Sequence, residues 1–330
     1  MATAAANTVT RLTALWALSE SGLGGLMHAL KIPFTGFFLG GFAIVIITLI
    51  AFESTKPFKV ILQATLLVIL VKAAASPHSP PMAYIAVAFQ GVIGAVLFSV
   101  IPFFRLAACI FGMIALFESA IQKFLVATLI FGKSIWEALD AFVASVLKDL
   151  TLFNDFSFSI WLIASYTGVY IIWGGILGLW ASGLPKVIHQ QSDALLLSYN
   201  DLTIKENTTA VTGKRKFGFK LMATFFILLF IVTVFLMQGS AGKIWYVLGR
   251  TIAALLILFY IINPLIKTAI NRWLKKQQQS KATQLTSILN SIPELRLHIA
   301  PAMRLARNQH TGLGVYKAFV TNLIVFALYK

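Results

Sequence analysis

Residues 68–90 read VILVKAAASPHSPPMAYIAVAFQ. Two apolar runs flank a corner of small residues and prolines, the pattern of two membrane-crossing helices joined by a tight turn. One lysine, Lys72, stands just before the corner, and a glutamine, Gln90, sits in the second run. This hairpin sets the frame for the rest of the chain. If both runs cross a bilayer, Lys72 lies near one surface, within reach of snorkelling, and Gln90 lies deeper.

The composition fits that frame. The 330 residues are 58% hydrophobic and 12% charged, with a mean hydropathy of +0.85. Soluble domains carry roughly 25% charged residues, so the sequence predicts an all-α, polytopic membrane bundle. Lys and Arg number 27 against 11 Asp and Glu, a net charge of +16. In a membrane protein this excess belongs on cytoplasmic loops, and no aromatic-basic motif for nucleic acid accompanies it. The single cysteine, Cys109, excludes an internal disulfide. Neither a P-loop, a GxSxG nor an HExxH motif is present. The first residues lack a basic start followed by a clean apolar core, so no cleaved signal peptide is expected.

Crossing a bilayer takes about 20 apolar residues. Candidate spans fall at 12–30, 33–51, 58–75, 82–101, 103–131 and 156–183, then at 217–237 and 244–270. A last apolar piece, 315–329, either crosses with tilt or lies against the bundle. The expected total is eight to nine. Loop charges orient them. The segment 185–216 holds Lys186, Lys205, Lys214, Arg215 and Lys216 against Asp193, Asp201 and Glu206. The segment 267–317 holds Lys and Arg throughout and only Glu294 as an acid. Both are expected in the cytoplasm, as is the N-terminus, with the 76–81 corner and 132–155 outside. Three parts follow: a six-helix bundle at 1–184, a linker at 185–216, and at 217–330 a hairpin, a basic segment and a final apolar helix.

Ionisable groups at bilayer depth face a protein interior or a wet cavity. Lys72, Gln90, Glu118, Gln122, His28 and Trp161 are the candidates for an outward-opening site for a small polar solute. Glu118 has a second reading, a helix-locking pair with Lys72 or Lys123. Gly36, Gly40 and Gly41 give the second span a small face for close helix packing, against another membrane helix or within the bundle. No metal cluster, paired acid and base, or Ser/Lys dyad stands out, so neither a cofactor nor an enzymatic activity is expected.

The stretch 284–312, QLTSILNSIPELRLHIAPAMRLARNQHTG, differs in kind. Leu285, Ile288, Leu289 and Ile292 have helical spacing, and Pro293 and Pro301 are expected to interrupt it. Arg304 and Arg307 are neighbours on one face. They suit either a basic helix on anionic lipid or a helix that docks into a cytoplasmic partner.

These parts resemble the membrane components of energy-coupling factor (ECF) transporters. Six spans with both ends inside, and the LKIPFTGFFLGG run at 30–41, are similar to their solute-binding S component. PAMRLARNQHTG at 301–312, before a last apolar piece, is similar to the coupling end of the T component, with Ala306 and Arg307 in the motif position. Asn308 stands where that motif has glycine, and the T-like part has fewer spans than usual. The resemblance implies an inner-membrane component of an ATP-driven importer of a vitamin- or metal-type solute. It also implies separate cytoplasmic ABC-type ATPase subunits as partners, beside membrane lipid. The rival expectation is a non-transporting scaffold that anchors an envelope complex through its cytoplasmic segments.

Overall fold

The computed structural model describes residues 2–24, 27, 35–76, 79–147, 157–204, 241–312 and 314–330. All regular structure among them is helical. His28, the Pro77–His78 pair of the corner, the 205–216 stretch and the expected 217–237 span lie outside the described residues.

Helix α1 (Ala2–Leu18) continues as a π-helical turn, Ser19–Leu23. Next come α2 (Thr35–Phe52), α3 (Pro57–Ala75), α4 (Pro81–Val100) and α5 (Phe104–Phe131). The short α6 (Ser134–Leu147) precedes α7 (Phe158–Ile204), a single helix of 47 residues. A helical run then follows as α8 (Ala241–Leu256), a π segment (Ile257–Ile262) and α9 (Asn263–Ser280). The chain closes with α10 (Ala282–Leu297), α11 (Ile299–Gln309) and α12 (Gly314–Tyr329). Prolines mark two starts. Pro57 and Pro81 stand at the first helical position, where a missing N–H costs nothing.

Packing sorts the helices into two compact units: Met1–Ser119 with Tyr170–Ala210 and Ile270–Lys330, and Ala120–Val169 with Val211–Ala269. In the first, α2 is the central helix. Residues 43–51 of α2 are buried all round, as expected of a helix that is apolar on every face. Helix α1 is also buried from Leu12 to Ser21, although it carries Glu20. It packs against α2, α3, α10 and α12.

Glycine sets the closest approach in this unit. On α5, Ala108 and Gly112 are four apart, as are Gly174 and Gly178 on α7. A Cβ at Gly112 would fall on the carbonyl oxygen of Gly174, and one at Gly178 on that of Ala108. The two backbones therefore touch, the small-residue crossing favoured where helices pack in lipid. Gly36, Gly40 and Gly41 face Ser119, Gln90 and Leu177 inside the same unit. Close packing within the bundle thus accounts for that small face.

The second unit contains an unusual cap. Asp140 on α6 accepts from the Ser159 backbone N–H at 2.6 Å, and from the hydroxyls of Ser159 at 2.7 Å and Ser157 at 3.1 Å. It satisfies the otherwise unpaired donors at the start of α7 from a separate helix. Burial raises its pKa, but these bonds and one from the Phe158 backbone outweigh it, leaving the carboxyl below its ordinary range. Nearby, the Trp136 indole donates to Thr128 at 2.9 Å and Lys123 to the Tyr166 hydroxyl at 3.0 Å.

Three local expectations change. The chain does not leave helix near 183: α7 runs on through Pro185 to Ile204, with Leu184, Ile188, Ser192 and Leu195 forming a buried stripe along the extension. The first apolar stretch is helical from Ala2, well before residue 12. Helix α10 continues through Pro293 because Leu285, Ile288, Ile292 and Leu295 bury one face. Its break falls at His298, and Pro301 sits in the first turn of α11.

Candidate functional site

The polar feature of the first unit is an ion pair. Lys72 Nζ lies 2.6 Å from Glu20 Oε2, with the two side chains 1% and 5% exposed. Lys72 therefore does not snorkel. It turns inward from the last turn of α3 and also donates to the Ala83 carbonyl of α4 at 3.4 Å. The Tyr84 ring centroid stands 6.0 Å from the ammonium. A charge removed from water needs a partner, since its desolvation costs several kcal/mol. Glu20, not Glu118, supplies it.

The local structure of α1 explains how Glu20 reaches this position. The turn Ser19–Leu23 is π-helical, with the Gly24 N–H bonded to the Ser19 carbonyl. A π turn widens the helix and leaves a carbonyl short of its usual partner, and such turns recur at functional positions. Here the Ser19 hydroxyl donates to the Trp16 carbonyl at 2.8 Å and the Ser21 hydroxyl to that of Ala17 at 2.6 Å. The described residues of the corner between α3 and α4 hydrogen-bond to one another. Ser76 and Ser79 hydroxyls are 3.0 Å apart, and the Tyr84 hydroxyl donates to the Ser76 carbonyl at 3.4 Å.

The other expected residues spread out from this pair. Gln90 is buried on α4, two helical turns beyond Ala83 and on the same face, about 10 Å along the axis. Its Nε2 would lie 3.2 Å from a Cβ on Gly40, and Ser119 Oγ converges on the same glycine at 3.5 Å. Beside Ser119, Glu118 has one carboxylate oxygen that is buried and lacks a hydrogen-bond partner among the described residues. The indole nitrogen of Trp16, one turn before Glu20, is likewise unsatisfied. Gln122 and Trp161 belong to the second unit, where Trp161 is 61% exposed. At the C-terminal end, Ala306 is buried while Arg304 and Arg307 are exposed on α11. Among the described residues no group of three His, Cys, Asp or Glu could hold a metal ion.

Sequence reading overlooked the role of Glu20. Its signal was parity: Glu20 is the acid in the apolar stretch before α2, and Lys72 is a base in the α3 run, far beyond Lys59 at its start. A second cluster also went unread. The Tyr199 hydroxyl lies 3.1 Å from His298 Nδ1, Phe326 packs edge-on to Tyr199, and Lys330 stands over the Tyr199 ring at 5.2 Å. Arg11 donates to the Ala327 carbonyl at 3.0 Å. This cluster ties α1, α7, α10 and α12 together. Burial holds the His298 pKa below its ordinary value; Glu294 opposes that shift, and Arg11 and Lys330 add to it.

Five described helices are long and apolar enough to cross a membrane: Thr35–Phe52, Pro57–Ala75, Pro81–Val100, Phe104–Phe131 and the first part of α7. The chain is an all-α, multi-pass membrane protein with a charged pair inside its helical core. No family model matches it, and neither does any curated protein or solved structure.

Proposed function

We propose that this chain is the membrane component of an ATP-driven small-solute importer. It would take a vitamin- or metal-type solute from the outer side of the inner (cytoplasmic) membrane and couple to separate cytoplasmic ATPases. The Lys72–Glu20 pair carries the reading. Apolar packing is at least as stabilising as a buried pair of similar volume, so holding helices together does not require these charges. An ionisable group among membrane helices points first to a solute or ion path. In the proposed topology the N-terminus and α9–α11 face the cytoplasm, the 76–81 corner faces outward, and eight or nine segments cross.

Helix α1 supplies the coupling in this reading. It packs against α10 and α12, and its far end carries Glu20. An ATPase held by Arg304 and Arg307 would act on α11, whose buried Ala306 and Leu305 pack into the unit. Movement of α10–α12 would then shift α1 and with it the charge pair.

The test is co-purification of ATPase subunits with the full chain, together with ATP-dependent uptake into proteoliposomes from a vitamin and metal panel. Arg304→Glu with Arg307→Glu should abolish both and leave the melting temperature in place. Retained partner binding in that variant rejects the coupling helices, and absence of uptake across the panel rejects import.

One observation favours the scaffold alternative. Helix α7 is 47 residues long, about 70 Å, more than twice the ~30 Å hydrocarbon core. Its extension would suit a mast for a cytoplasmic or envelope complex. Stable capture of such a complex, without ATPases, would favour it.

A further inference from the structure

We infer that the Lys72 ammonium occupies a built cation site whose exchangeable ligand is an organic ammonium solute, with Lys72 as the internal occupant that the solute replaces. The inference rests on the transport reading and names its substrate class.

Among the described residues, the groups that meet the Lys72 nitrogen are cation-seeking. Glu20 offers a carboxylate oxygen at 2.6 Å, Ala83 a carbonyl at 3.4 Å, and Tyr84 a ring centroid at 6.0 Å. A carboxylate, a carbonyl and an aromatic ring are the chemistry that recognises an ammonium group. They come from two helical elements, the π turn after α1 and the first turn of α4, while α3 supplies the lysine they surround.

Two exchanges are conceivable: a cation replacing Lys72, or an anion replacing Glu20. Geometry favours the first. Lys72 lies in the last turn of α3, four residues before Ser76 at the corner. Its long four-carbon stem lets the ammonium swing away from Glu20 by side-chain rotation with little backbone change. Glu20 has a short side chain on a turn whose Ser19 and Ser21 are buried and bonded to the α1 backbone. Withdrawing it would require rebuilding the turn. An incoming anion would also meet the Ala83 carbonyl and the negative face of the Tyr84 ring. An incoming ammonium inherits all three partners.

The experiment removes the internal occupant and supplies a free one. Full-length Lys72→Ala is purified and melted with propylammonium chloride or sodium propionate at matched ionic strength. Propylammonium should raise its melting temperature by about 5 °C and propionate should not. Neither salt should move Lys72→Ala combined with Glu20→Gln, which keeps the fold without a charge to satisfy. If Lys72→Ala fails to fold alone, its recovery when propylammonium is present throughout purification counts as the same rescue. An equal response to both salts overturns the inference, as does no response to propylammonium. Rescue without uptake in proteoliposomes would keep the cation site and reject transport. Uptake without rescue would keep transport and reject the ammonium class.

Discussion

Lys72 and Glu20 are 52 residues apart in the chain and 2.6 Å apart in space, joining the last turn of α3 to the π turn that ends α1. The contact is a buried stability element and, in the proposed function, the solute site. These roles separate by mutation. Removing one partner strands a buried charge, which costs about 3–5 kcal/mol, whereas replacing both with apolar groups of similar volume is close to neutral. Lys72→Met and Glu20→Gln should therefore each lower the unfolding free energy in detergent by about that amount. Lys72→Met combined with Glu20→Met should recover most of it. Additive losses in the double variant would show that the pair is not coupled.

The α5–α7 crossing yields a prediction of a different kind. Gly112 and Gly178 each lack room for a single carbon because the opposing backbone fills it. Gly178→Ala and Gly112→Ala should each destabilise by about 1–3 kcal/mol through overpacking. Gly168 and Gly183, on the same long helix, have nothing among the described residues within 4 Å of the position a Cβ would take. Alanine there should be neutral or stabilising by up to ~1 kcal/mol, because it restricts the unfolded chain. Thermal melts of the four variants in one detergent check the contrast. Equal losses at all four positions would contradict the crossing.

The membrane class was legible in the sequence, and the pairing of its charges was not. The run from Thr35 to Phe52 has no ionisable residue and reads directly as a buried span, which α2 is. Lys72 and Gln90 were visible as polar residues in apolar surroundings, and both are buried. What periodicity does not carry is relative depth. Glu20 follows α1 and Lys72 ends α3, 52 residues apart, and nothing in their spacing shows that the two reach the same depth. Helix α7 passed unrecognised beyond Gly183 because Pro185 and the polar residues after it read as a linker. The compensating stripe of Leu184, Ile188 and Leu195 becomes evident only with its packing surface. The Gly174–Gly178 spacing was readable, but its partner pair at Ala108 and Gly112 was not, since small-residue spacing does not name the opposing helix.

Asp140 offers a pH test outside the spans. Its pKa is lowered in the fold, so its contribution is fully present above the unfolded value near 3.9 and is lost as pH falls through the folded value. Asp140→Ala should cost about 0.5–1 kcal/mol above pH 5, the value of a helix cap discounted for solvent access. At pH 3 and below the difference from the unmodified chain should shrink. A constant difference across that range would mean that the carboxylate charge is not what caps α7.

His298 tests the opposite titration. It is 5% exposed, accepts or donates at Nδ1 with the Tyr199 hydroxyl 3.1 Å away, and has Nε2 buried without a partner among the described residues. Burial lowers its pKa, and Arg11 and Lys330 disfavour the imidazolium further, while Glu294 favours it. The folded chain then binds fewer protons than the unfolded chain as pH drops below about 6.5, so stability falls with pH in that window. Loss is complete only once pH has passed below the folded value. The unmodified protein should accordingly melt lower at pH 5.5 than at pH 7.5. His298→Gln keeps a side chain that can bond to Tyr199 and has no charge to gain, so its curve should be flatter over the same interval. The first effect of acid should appear where α10 and α12 meet α7, as faster amide exchange around Tyr199, His298 and Phe326. An unchanged slope in His298→Gln would assign the acid sensitivity to other groups and leave this cluster as packing alone.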